Sequence, residues 1–287
     1  MIRVALSILS LLLTIAGFIA QAAGDTRAAD LLAKARAAIG GEAQVARVQA
    51  FSCAGTVNRA MGDHQISGEL ALDIQLPDKM LRVESISPMG DSAVVITEQG
   101  INGDTLLRHM KTLNTPAGAV IRMPPPPAPG SDAEAQQIRN SRAELARLAV
   151  GILLAPPPSL DLVYAGEAES PDGKADVIDV KSGSGFAAKL FLDKSSHRPL
   201  MLAYRGIAPR MVVQRQGDDS PPDAGRVAPS APEAADITMF FDDYKAVDGV
   251  LLPHHVTRAV GGQTNEEWTC KTIKVNPAFA ADTFTKK

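Results

Sequence analysis

The sequence predicts a mainly β, α+β fold: a curled antiparallel sheet of about eleven short strands, with two helices covering its concave face. Three observations carry this expectation. Apolar residues alternate at period two over many short segments, separated by turn clusters of Gly, Pro, Asn and Asp. Apolar spacing of helical period occurs in only two stretches. No strand–helix–strand alternation is present, which argues against a parallel sheet. An antiparallel sheet of this many strands must curl or split to bury its apolar face.

The chain opens on Met1-Ile2-Arg3, a short basic start, followed by an uncharged run from Val4 to Ala23. The apolar part, Val4 to Ala20, is shorter than the roughly 20 residues of a spanning helix. Ala20-Gln21-Ala22-Ala23-Gly24 has the small-x-small pattern that signal peptidase reads. Residues 1–23 are therefore expected to be a cleaved signal peptide, and 24–287 a single soluble domain in the periplasm. No cysteine follows the cleavage site, so no lipid anchor is expected. A second long apolar run is lacking, so no stable membrane insertion is expected either.

Residues 26–39 read as the first helix: Ala28, Leu31, Leu32, Ala35, Ala38 and Ile39 form one stripe, and Gly40-Gly41 ends it. Strands follow, from Ala50 to Asn58 and then from Ile66 to Leu76. In the second, Ile66, Leu70, Leu72, Ile74 and Leu76 share one face, while Ser67, Glu69, Asp73 and Gln75 point the other way. After the turn Leu76-Pro77-Asp78-Lys79 a strand returns over Leu81–Ser85. Others are expected near Ser92–Glu98, Thr105–Met110 and Ala119–Met123.

Pro124 to Pro127 then breaks the pattern. Ser131 with Glu134 makes a capping box for a second helix over about 132–154. Its apolar stripe is Ile138, Leu145, Leu148, Ala149 and Ile152, and Pro156-Pro157-Pro158 stops it. Bracketed by prolines amid strands, this helix is expected to lie across the open face of the sheet as a lid. Strands resume at Leu160–Glu167, Asp176–Lys181, Ala187–Asp193 and Leu200–Arg205. About 214–235 is Pro, Asp, Gly, Ala and Ser with little to bury, and reads as a disordered insertion. Asp236–Tyr244, Val250–Ala259 and Asn265–Val275 close the chain, the first two joined by the hairpin dipeptide Asp248-Gly249.

Composition narrows the function. Residues 1–23 hold one base and no acid, so the remainder carries 28 basic and 32 acidic side chains, a formal −4. This is no footprint for nucleic acid. Aromatics at 4% argue against stacking platforms. Cys53 and Cys270 lie in the first and last predicted strands, in a compartment where disulfides persist. They either clasp the domain or are two unrelated buried thiols.

No motif for catalysis, cofactor or metal emerges. His254 and His255 are neighbours on a predicted strand and point to opposite faces. Gly183-Ser184-Gly185-Phe186-Ala187-Ala188 matches a dinucleotide pattern but leads into a strand, where no helix N-terminus meets a pyrophosphate. It reads as a turn. Asp242-Asp243 and Glu266-Glu267 are neighbouring carboxylates whose side chains diverge, and they read as solvated or edge charges. The expectation is a protein that is not an enzyme.

Several features together resemble the exported lipoprotein carriers of bacteria, the LolA/LolB-like superfamily. They are the opening helix ending in Gly40-Gly41, a first strand with Gly55, and the Leu76-Pro77-Asp78-Lys79 turn. Phe241-Asp242-Asp243-Tyr244 through Asp248-Gly249-Val250-Leu251-Leu252-Pro253 is the most specific stretch, followed by Asn276-Pro277-Ala278-Phe279 and Phe284. The resemblance spans about residues 27–287 and departs in the insertion at 207–235 and in low aromatic content. It implies an unclosed β-barrel, or half-barrel, whose concavity receives acyl chains. On that reading Leu70, Leu72 and Ile74 of the sheet, with Ile138, Leu145, Leu148 and Ile152 of the helix, line an apolar site for an acyl chain, lipid or lipoprotein. The same stripe serves equally as ordinary core. A second reading is therefore an envelope interaction module with a solid core and no ligand.

Overall fold

Within each half of the chain, strands that follow one another in sequence pair side by side, and that local order produces two meanders. The computed structural model describes residues 26–61, 64–87, 93–114, 125–171, 173–207 and 234–285. The first meander is β1 (Ala50–Met61), β2 (His64–Gln75), β3 (Lys79–Ile86), β4 (Val94–Asn102) and β5 (Thr105–Leu113). The second is β6 (Asp161–Ser170), β7 (Gly173–Lys181), β8 (Ala187–Asp193), β9 (Pro199–Ile207), β10 (Ala234–Val247), β11 (Val250–Val260) and β12 (Gln263–Val275). They join where β12 pairs antiparallel with β1, giving one sheet of twelve strands in the order β5-β4-β3-β2-β1-β12-β11-β10-β9-β8-β7-β6. The two ends of the folded chain thus meet at a central seam. β5 and β6, consecutive in sequence, stand at opposite edges and do not pair, so the barrel stays open.

The helices fill the concave side. Helix α1 spans 26–38, and its stripe of Ala28, Leu31, Leu32, Ala35 and Ile39 is buried. Arg27 at its start lies 3.8 Å over the Tyr164 ring of β6. At its other end the Leu251 N–H donates to the Ile39 carbonyl at 2.7 Å. Gly40 permits this junction: a Cβ there would lie 2.4 Å from the Gly249 carbonyl oxygen, and its φ is 140°. Two of the motifs quoted above, Gly40-Gly41 and Asp248-Gly249, therefore touch.

A short helix, α2 (Glu42–Val45), was not foreseen from the sequence; one turn after Gly41 seals Val45 into the core. Helix α3 (Asp132–Gly151) is capped by Ser131, whose side chain accepts from the Glu134 N–H at 3.2 Å. The reciprocal bond of the capping box goes one residue early, from the Gly130 N–H to Glu134 Oε2, because the Ser131 N–H is already bound to the Ala128 carbonyl.

Strand alternation matches the burial pattern. In β2, Ile66, Leu70, Leu72 and Ile74 are buried on the concave side, and Leu76 beyond it packs at the margin. A disulfide joins Cys53 of β1 to Cys270 of β12, with the Cα atoms 5.4 Å apart, and bridges the seam itself. Beyond β12, Asn276 ties the seam's end: its Oδ1 accepts from the Gln49 and Ala50 N–H groups and its Nδ2 donates to the Arg47 carbonyl. The tail then crosses to the convex side, where Phe284 packs with Leu81 and Leu107.

The signal segment 1–23 and the strand expected at Ala119–Met123 lie outside the described residues, as does most of the insertion expected at 214–235. Its last two residues need correction. Ala234 and Ala235 begin β10, paired with Ile207 and Gly206. Backbone pairing needs no apolar side chain, so composition alone cannot mark the strand's start.

Candidate functional site

Helix α3 connects the two edge strands and reaches β4 and β5 on one wing and β8 and β9 on the other. It therefore straps the open side of the half-barrel. Its C-terminal end presses on β10, where a Cβ on Gly151 would lie 2.3 Å from the Phe241 ring. Arg142 forms an ion pair with Asp104 in the β4–β5 turn, and Arg147 lies 3.9 Å over the Tyr204 ring of β9.

The seven residues expected to line an apolar site fall into one apolar cluster. Leu70, Leu72 and Ile74 of β2 are buried, as are Leu145 and Leu148 of α3 and Ile152 just beyond it. Ile138, nearer the start of α3, is only partly buried at the cluster's margin. The strand face and the helix stripe thus belong to the same core, in which α3 touches β4, β5, β8 and β9.

Charge occupies part of that concave face. Arg59 of β1 sits opposite Glu266 of β12, and Glu266 sits opposite Arg258 of β11. Arg59 pairs with Glu266 and spans β2 to reach Glu84 of β3, with Nη2 to Oε1 at 2.9 Å. Arg82 of β3 meets Glu84 at 2.5 Å and Glu266 at 3.0 Å. Arg258 joins Glu266 to Glu144 of α3, and Glu144 in turn meets Arg147. Trp268 lies between two of these cations, with Arg82 and Arg258 at 5.1 and 5.5 Å from its ring centroid.

Glu266, Glu144 and Arg258 stay charged within this chain of ion pairs for physical reasons. Burial alone would raise the Glu266 carboxyl, but Arg82, Arg258 and Arg59 outweigh it and hold the group far below its ordinary range. Glu144 is under the same opposition: burial raises it, and Arg258 and Arg147 bring it below the usual value. Burial disfavours the Arg258 guanidinium, yet Glu144 and Glu266 leave it more firmly protonated than usual. Packed carboxylates held this low are poor proton carriers near neutral pH.

This cluster overturns one expectation. Glu266 is 1% exposed, not a solvated or edge charge. The divergence of neighbours on a strand holds, since Glu267 points away. Glu266, however, shares the inward face with Trp268 and Cys270, and burial there is tolerated because three guanidiniums surround it. The phase of the alternation was the available signal: Arg258 and Glu266 stand in step with Val256 and Trp268. Glu144 and Arg147 carry a similar one, since each adjoins a buried leucine, Leu145 or Leu148, on α3.

The two adjacent histidines divide between the faces. His254 is buried with Nδ1 3.1 Å from the Leu252 carbonyl, and His255 pairs on the other side with Thr269 Oγ1 at 3.1 Å. Among the described residues no group of three or more His, Cys, Asp or Glu could hold a metal ion.

An open antiparallel half-barrel, strapped by one helix and clasped at its central seam, is the class of protein that fold and site define. Two solved structures are similar to this chain in fold over nearly its whole length. A DUF1329 family protein from Desulfovibrio piger matches at a TM-score of 0.50 and 11% identity, over 93% of this chain and 97% of its own. A LolA superfamily protein from Nitrosomonas europaea matches at 0.50 and 12%, over 90% and 97%. At such identities the likeness is one of fold. No family model and no curated protein matches the sequence.

Proposed function

We propose that this chain is an exported binding or carrier protein of the bacterial periplasm, and not an enzyme, holding an acyl-chain ligand between the curved sheet and α3. One observation carries the reading: the apolar stripe of α3 shares one apolar core with Leu70, Leu72 and Ile74 in an open half-barrel whose edge strands do not pair with each other. Helix α3 holds the wings through side-chain contacts such as Glu144–Arg258 and Arg147–Tyr204. Those contacts can part without breaking a strand pair, so the strap can lift to admit a ligand. The shared fold with a LolA superfamily protein supports the same reading, and so does the apolar, uncharged run at Val4–Ala23. Among the described residues no helix is long and apolar enough to cross a membrane.

The test is to recover the protein from a bacterial periplasm, weigh it by native mass spectrometry, and identify solvent-extracted lipid. Bound acyl chains are expected. Replacing Leu145 or Leu148 with Glu should lower uptake, because a carboxylate would then project from the stripe. Reproducibly empty protein that co-purifies with a defined partner would favour the envelope interaction module instead.

A further inference from the structure

We propose that the arginine-rich end of the concave face is a head-group site, and that the ligand is an acyl chain bearing a single anionic head, a carboxylate or a phosphate ester. This rests on the carrier reading above and adds to it the chemistry of the ligand's polar end. Four arginines, Arg59, Arg82, Arg147 and Arg258, are linked by ion pairs to three glutamates, which leaves one positive charge over. Hydrogen bonding is incomplete in the same place. Arg82 Nη2 and Glu266 Oε1, 3.0 Å apart, form an ion pair without hydrogen-bond geometry, whereas Arg147 Nε and Arg258 Nε are buried donors without a hydrogen-bond partner. Such groups are costly when left unpaired, and an anion's oxygens would satisfy them.

Access and polarity fit this assignment. The side chains of Arg59, Arg82 and Arg147 keep 16–19% of their surface exposed, whereas Arg258 and Glu266 beneath them keep 7% and 1%. These three cations, together with the Glu144 carboxylate at 22%, therefore form a partly exposed rim over a closed floor. They lie toward the β1–β2 and β11–β12 turns, and Phe51 and Ile74 occupy the other end of the same seam. On α3, Glu144 and Arg147 alternate with Leu145 and Leu148. A head group bound at the rim would thus place its chain next to the buried leucines of the α3 stripe.

The test uses delipidated protein and four probes: dodecanoate, dodecyl phosphate, the neutral glycerol monododecanoate, and inorganic phosphate. Titration calorimetry should show the two anionic amphiphiles binding about tenfold or more tighter than the neutral one, as charge-assisted hydrogen bonds predict. Arg82→Gln and Arg147→Gln, both at the partly exposed rim, should abolish most of that preference, read as the ratio of anionic to neutral affinity within each variant. The comparison within the unaltered protein stands even if a variant folds poorly. Equal affinity for neutral and anionic chains would overturn the head-group site and leave the carrier reading intact. Inorganic phosphate binding as tightly as dodecyl phosphate would also overturn it, by showing a site for a free anion. Binding of none of the four would overturn both.

Discussion

Glu266 shows how a single residue can hold several elements at once. It lies on β12 and meets arginines from β1, β3 and β11. Removing it by Glu266→Ala leaves those guanidiniums buried without their shared partner. The expected cost is roughly 3–5 kcal/mol, read from urea unfolding midpoints. The same cluster sets a pH dependence. Glu266 and Glu144 titrate in the fold below the ordinary glutamate value of 4.5. Below that value the unfolded chain takes up protons that the folded chain refuses, so stability falls as pH falls. Above it, their contribution is complete. Urea midpoints should therefore drop between pH 5 and pH 3, and Glu266→Gln should flatten the slope; an unchanged slope would contradict the assignment. Gly151 makes a different, steric prediction. Gly151→Ala pushes a methyl into the Phe241 ring and should cost about 1–3 kcal/mol in the same assay.

Among the elements, α3 decides whether the half-barrel behaves as a strapped trough. It carries the Ser131 cap at its start and the Phe241 contact at its end. Ser131→Ala removes the side-chain acceptor for the Glu134 N–H and should cost about 1 kcal/mol. The loss should be concentrated locally. Hydrogen exchange ought to quicken over the first turns of α3 and leave β1 and β12 nearly unchanged. Equal acceleration in α3 and the seam would mean that the strap does not open independently of the sheet.

At the scale of the whole molecule, the β1–β12 seam carries the topology. Two meanders meet there, and the Cys53–Cys270 disulfide closes a separation of 217 residues. The chain-entropy model gives about 5 kcal/mol for a loop of that length, an upper figure because strain in the native state subtracts from it. Replacing both cysteines with serine should lower the unfolding midpoint by more than either the Ser131 or the Gly151 change. A loss below about 1 kcal/mol would show that strand pairing, and not the bridge, holds the seam.

The sequence alone determined α1, α3 and most of the strands with their faces, but not α2 or the start of β10. Period-two alternation in Ile66–Leu76 marked β2 and its buried side, and proline runs around Ser131 and Ile152 bounded α3. These features are local, and propensity and periodicity act within a few residues. Tertiary structure decided what those faces meet. Alternation with Trp268 puts Glu266 on the inward face, but nothing near it in the sequence announces Arg59, 207 residues away, whose cation makes that burial tolerable. The same holds for Glu144, whose partner Arg258 is 114 residues distant. A buried charge is stabilised by cations in space and not in sequence, so the ionic end of the trough became visible only when β1, β3, β11, β12 and α3 were brought together.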